Sequence, residues 1–250
     1  MKPLTVPAEL RVPLAGAGFK LPAVVIVHGS SGIDSRGVSY AKELNKVGIA
    51  TMEIDMWAAR GLTGGLNRPR GVPETLPDAY GALKYLASQA NIDPNRIGIM
   101  GFSWGGVVSM LTATAPYTKL YMADTKLAFA AHAPNYPVCW VYNKVPGYEF
   151  NSFTGAKISL QGGDLDTYDL PSSCPGLVTS PAAAVPAGLL TVKMYANATH
   201  GFDRTEPAYV ITDPFSHLGA GGNVDVIPNP EAAAQARAST VAFFRARFGM

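Results

Sequence analysis

The chain is poor in cysteine and in charge. Its 250 residues include only Cys139 and Cys174. That is too few for a disulfide scaffold or for a cysteine-built zinc site. Charged residues make up 15% of the chain, against about 25% in an average globular protein. The net charge is +2, and no run of Lys and Arg reaches four residues, so the footprint of a nucleic-acid binder is missing. No uncharged apolar stretch approaches the ~18 residues that would span a bilayer. The opening Met1-Lys2-Pro3-Leu4-Thr5-Val6-Pro7 has no apolar core of the kind a signal peptide carries. Triplet and heptad periods are absent as well, which excludes collagen and coiled coil.

What the chain does have is 48% hydrophobic residues, together with 26 glycines and 20 prolines. That composition excludes disorder and implies a turn-rich globular protein. Ala23–Val27 reads as a strand buried on both faces, followed by a helix over residues 39–47 that stops at Gly48. Further strands are expected at residues 49–54, 96–100, 127–131, 157–160 and 189–195, with helices over 77–90 and 107–114. Asp93-Pro94-Asn95 reads as a turn. A last helix starts at the N-cap Asn229 with Pro230 in its first position and runs to Arg247. Strand-helix alternation of this kind predicts an α/β fold with a mostly parallel sheet and helices on both faces. No linker, internal repeat or insertion large enough for a separate lid domain is visible, so residues 1–250 read as a single domain. Residues 55–75 and 174–188 lack regular patterning, and loops that long are often functional.

The sharpest motif is Gly101-Phe102-Ser103-Trp104-Gly105-Gly106, a G-x-S-x-G pattern between an expected strand and an expected helix. The turn from strand to helix in such a nucleophile elbow is so tight that flanking side chains would clash, hence the glycines. Ser103 would stand at a helix N-terminus, and the backbone N–H of Trp104 would point at an oxyanion. A second donor is expected in the loop after the first buried strand, from Ser30, with Gly29 as the alternative. The base should be a histidine downstream of the serine and of an acid. His200, in a loop after the strand ending at Tyr195, suits that place better than His132 or His217, and His28 reads as structural. Asp164 and Asp166 both follow the strand at 157–160 and are both candidate acids, with Asp169 more remote. Trp57 and Trp104 are candidate walls of a substrate site, and Arg60 either contacts an acyl group or braces its own loop.

These segments resemble the dienelactone hydrolase family of α/β-hydrolases from about Ala23 to Phe244. The resemblance rests on VIVHGSSG (24–32), IDMWAARG (54–61), DPNRIGIMGFSWGG (93–106), GDLDTYDLPSSC (163–174) and MYANATHGFD (194–203). It implies an α/β-hydrolase fold, and it favours Asp166 through a Gly-x-x-Asp pattern starting at Gly163. It also implies a Cys139–Cys174 disulfide. A bridge of that kind belongs to a periplasmic or secreted protein reached through a signal peptide; without it the expectation is cytoplasmic. Two departures stand out. The dienelactone hydrolases proper use a cysteine nucleophile where this chain has Ser103, and they carry a glutamate where it has Gly29. The expectation is therefore a cofactor-free, metal-free serine esterase for small-molecule or polymeric esters. A lactone hydrolase is the alternative, and a non-catalytic binding protein on the same fold is a weaker one. Asn197-Ala198-Thr199 is a formal glycosylation sequon beside His200 and reads as chance.

Overall fold

The computed structural model describes residues 4–14 and 19–250; Met1-Lys2-Pro3 of the opening segment lie outside the described residues. Nine strands form. They are β1 (Ala8–Arg11), β2 (Leu21–Val27), β3 (Ala50–Ile54), β4 (Ile92–Phe102), β5 (Ala131–Asn135), β6 (Lys157–Gly163), β7 (Leu190–Tyr195), β8 (Tyr209–Asp213) and β9 (Gly222–Val226). The helices between them are α1 (Ser35–Lys46), α2 (Leu76–Ser88), α3 (Trp104–Thr112), α4 (Ala115–Met122), α5 (Ser173–Thr179), the single turn α6 (Ser216–Gly219) and α7 (Pro230–Phe248). Seven strands make one sheet in the order β1-β3-β2-β4-β5-β6-β7. Among the described residues only β1 runs antiparallel to its neighbour in this sheet. β8 and β9 pair separately as an antiparallel hairpin.

The sheet is covered on both sides, which is why β2 is apolar at every position. Ala23, Val25 and Val27 enter one core with residues of α2 and α3. Val24 and Ile26, pointing the other way, enter a second core with Tyr40 and Leu44 of α1 and Phe244 and Phe248 of α7. The α7 N-cap is as expected, with the Asn229 side chain accepting the Ala232 N–H. Gly37 is where α1 crosses β3, for a Cβ there would lie 1.7 Å from the Glu53 carboxylate.

The structure departs from the sequence expectations at four places. The strand expected at residues 127–131 is instead β5 at Ala131–Asn135. Its His132, Pro134 and Asn135 look like loop residues, but His132 Nδ1 bonds Ser109 O and Asn135 Nδ2 donates to Gly101 O, while the buried His132 Nε2 has no partner among the described residues. The Asp93-Pro94-Asn95 turn is absorbed into β4 as a register shift opposite β2, pinned by Asn95 N–H on Asp93 Oδ1. Residues 174–179 fold into most of α5. His217, expected in a loop with no strand before it, follows β8 in the hairpin, whose connecting turn is bonded to the loop after β6 through His217 N–H on Thr167 O and Leu218 N–H on Tyr168 O.

Candidate active site

Ser103 sits between β4 and α3 with φ +52°, a conformation that non-glycine residues rarely adopt. The glycines around it are forced by close backbone approach. A Cβ at Gly101 would lie 2.2 Å from Gly105 O, one at Gly105 would lie 2.1 Å from Val27 O, and one at Gly106 would lie 2.6 Å from Asn135 O. The Ser103 N–H donates to Asn135 O, which ties the elbow to the end of β5. β4 lies beside β2 at the point where the chain order of the sheet reverses, the usual location of a ligand crevice in an open α/β sheet.

Three expected residues from three loops meet here. His200 Nε2 lies 2.8 Å from Ser103 Oγ. His200 Nδ1 lies 2.7 Å from Asp166 Oδ2. The other Asp166 oxygen accepts the Tyr168 N–H at 3.0 Å. Tyr168 and Tyr136 pack on the imidazole, with ring centroids at 4.4 and 4.9 Å. The loops carrying Asp166 and His200 touch so closely that a Cβ on Gly163 would lie 2.0 Å from Ala198 O. Leu165 N–H donates to that same carbonyl.

Asp164 does not reach His200; its backbone N–H bonds Tyr195 O, and its buried Oδ1 has no partner among the described residues. Asp169 is also elsewhere. Its carboxylate accepts the N–H groups of Cys139 and Trp140 at 2.5 and 2.7 Å. Burial raises its pKa to about 6, and those two N–H groups oppose the shift. Cys139 and Cys174 are joined as a disulfide that clips the acid loop to the segment after β5.

The loop after β2 is held firmly. Ser30 O accepts both the Trp57 indole N–H at 2.9 Å and the Gly65 N–H at 2.8 Å. Ser30 borders the space around Ser103, and Trp104 opens α3, where a first-turn N–H has no partner within the helix. His28 is a strut. Its Nδ1 donates to Gly29 O, its Nε2 accepts the Met56 N–H, and burial lowers its pKa.

One expected substrate contact is corrected, and of the two readings of Arg60 the structure shows the loop brace. Trp57 lies behind Trp104, edge-on at 5.5 Å, with its N–H spent on Ser30, so it braces the loop rather than walling the site. Arg60 spends four of its five N–H donors on both oxygens of Asp78 and on the carbonyls of Met56 and Glu74, so it holds its own loop. Gly29 lies at a small recess next to His200 rather than in the large cleft.

The large cleft, of about 400 Å³, opens on Ser103 and is mostly apolar. Trp104, Val107, Val138, Val141 and Tyr168 line its depth. Arg68 and Phe215 line it as well. The Arg68 guanidinium pairs with Asp213 at 2.7 Å and lies 5.6 Å from the Trp104 ring and 5.8 Å from that of Phe215. Trp104 was expected as a wall of the site, whereas Arg68 and Phe215 were not singled out in the sequence. Arg68 lay in the unpatterned 55–75 segment, and Phe215 lay in the unseen hairpin.

The BD-FAE family model matches residues 12–161. A Bradyrhizobium protein named "Probable 2-oxo-3-(5-oxofuran-2-ylidene)propanoate lactonase" is 28% identical over 109 residues, 40% of this chain and 44% of that one. The chain spans about two fifths of the length of the curated relatives it matches. Thermogutta terrifontis esterase 2 superposes with TM-score 0.71 at 13% identity, over 98% of this chain and 90% of the other. A Klebsiella pneumoniae protein titled "Putative Dienelactone Hydrolase" gives TM-score 0.65 at 14% identity, over 96% and 98%. The fold is that of the α/β-hydrolases, and the chain belongs to the BD-FAE family.

Proposed function

We propose that the protein is a serine carboxylic ester hydrolase in which Ser103, His200 and Asp166 act as a catalytic triad. The observation that carries this reading is the unbroken chain of short contacts from Asp166 through both ring nitrogens of His200 to Ser103 Oγ. Asp166 holds the imidazole with Nδ1 protonated, leaving Nε2 free to take the Ser103 proton. Ser103 Oγ attacks the ester carbonyl, and the N–H groups of Trp104 and Ser30 receive the charge that forms on its oxygen. His200 returns the proton to the departing alcohol, an acyl group remains on Ser103, and water then hydrolyses it.

The cleft favours uncharged apolar or aromatic acyl groups, small or polymeric, because its depth is lined by Trp104, valines and tyrosines. A lactone is the second substrate class, favoured by the name of the Bradyrhizobium relative. The disulfide supports an oxidising compartment, periplasmic or secreted. The test is labelling with an active-site fluorophosphonate followed by peptide mapping. The expected result is one equivalent on Ser103; an inert Ser103 in folded protein would instead favour a binding protein on a hydrolase fold.

A further inference from the structure

The mostly apolar cleft beside Ser103 holds a buried ion pair. Arg68 and Asp213 both line it, with side chains 9% and 4% exposed. The Asp213 carboxylate is engaged at each oxygen. Its Oδ2 accepts from Arg68 Nη2 at 2.7 Å, and its Oδ1 accepts the Phe215 N–H at 2.9 Å. The guanidinium is not matched in the same way. It carries five N–H donors, and among the described residues its bond to Asp213 is the one it makes. Its Nε and Nη1 donate to no protein group there. The group is nevertheless fixed in place, its central carbon 5.6 Å from the Trp104 ring centre and 5.8 Å from that of Phe215. The charges lining the cleft cancel, Arg68 and Arg70 against Asp213 and Glu74. A buried guanidinium short of acceptors is costly unless something in the cleft meets its donors.

We infer that Arg68 reads the acyl group, and that the substrate class is the neutral diester, an acyl chain carrying a second ester carbonyl beyond the one that Ser103 attacks. Diesters of dicarboxylic acids and polyester chains both belong to it. The inference rests on Ser103 acting as proposed above. The unspent groups at Arg68 are donors, so the ligand atom beside them is an acceptor. An ester carbonyl accepts and brings no donor of its own. A hydroxyl or an amide would bring an O–H or N–H as well, and both oxygens of Asp213 are already engaged. A free carboxylate would add a net charge to a cleft whose charges cancel, and would lose its hydration among apolar walls. A plain alkyl chain would fill the cleft and displace water, leaving the guanidinium unmet.

Matched substrates and two variants test it. The substrates are methyl p-nitrophenyl diesters of succinic to suberic acid, each beside the p-nitrophenyl alkanoate of equal length and the corresponding half-acid. Arg68→Lys keeps a charge for Asp213 but removes Nε and the second Nη. Arg68→Met/Asp213→Asn removes both charges and keeps an acceptor for the Phe215 N–H. Circular dichroism verifies folding, and Arg68→Lys carries the test alone if the double variant does not fold. At the chain length that brings the second carbonyl to Arg68, the wild type should favour the diester over the alkanoate at least tenfold in kcat/KM. Each folded variant should lower that preference at least fivefold. A preference that survives in Arg68→Lys would make Arg68 a brace between loops and overturn the inference. So would a wild type that prefers the alkanoate or the half-acid at every length. If the wild type hydrolyses none of the diesters the inference also falls, and fluorophosphonate labelling of Ser103 shows whether the triad reading falls with it.

Discussion

Trp57 donates its indole N–H to the carbonyl of Ser30 at 2.9 Å, which fixes the loop after β2 against the nucleophile elbow. The loop's own N–H groups are thereby aimed by a residue that touches no substrate space. Trp57→Phe keeps the ring and removes the bond. It should lower kcat by on the order of tenfold to a hundredfold with little change in KM, as expected for a misplaced group that acts in the transition state. Steady-state kinetics on one ester checks this, and a matching rise in KM would point to lost substrate binding instead.

Asp166→Asn and Asp164→Asn separate the two aspartates. Only Asp166 bonds His200. Its amide variant should lose about 10³- to 10⁴-fold in kcat, because an amide holds the wrong tautomer of the imidazole. Asp164→Asn should stay within a few-fold of wild type. Comparable losses in both variants would mean that the loop, not one carboxylate, carries the effect.

The bridge between Cys139 and Cys174 closes a separation of 35 residues. Removing it by a Cys139→Ser/Cys174→Ser double substitution should cost about 3–4 kcal/mol of stability. Urea unfolding with and without reductant measures this. Reductant should lower the wild-type midpoint to that of the double variant and leave the variant unmoved.

Glu53 is buried beneath Gly37 of α1, with Arg11 Nη1 3.6 Å away. Burial raises its pKa from 4.5 to about 7, and Arg11 only partly opposes the shift. Below the lower value both folded and unfolded chains hold the proton. Between the two, the folded chain alone holds it, so this group's contribution to stability falls as pH rises through that window and levels off above it. Glu53→Gln should remove that part of the slope. The urea midpoint of the wild type should therefore drop relative to the variant between about pH 5 and about pH 8. Parallel profiles would contradict the assignment.

Much of the sheet was legible in the sequence because β2 and the second half of β4 are buried on both faces and read as apolar runs, and β3 is apolar at three of its five buried positions. The elbow was legible because three glycines are demanded by backbone contacts that tolerate no Cβ. β5 was misplaced because His132 and Asn135 are polar residues whose Nδ1 and Nδ2 atoms bond backbone carbonyls far away in sequence, which no local pattern reveals. The cleft wall was hidden for a related reason. Arg68 finds Asp213 across 145 positions, and Phe215 sits on a hairpin whose strands are half exposed. Trp57 and Arg60 sat on the correct loop, but their polar atoms are consumed by neighbouring protein groups.

The central claim is that Ser103 becomes acylated, and the most direct measurement is intact-mass spectrometry of protein quenched during turnover of a p-nitrophenyl ester, wild type beside Ser103→Ala. The account predicts one acyl adduct in the wild type, mapped to Ser103, with neither adduct nor turnover above background in the variant. Turnover that survives in Ser103→Ala, or an adduct on any other residue, would contradict it.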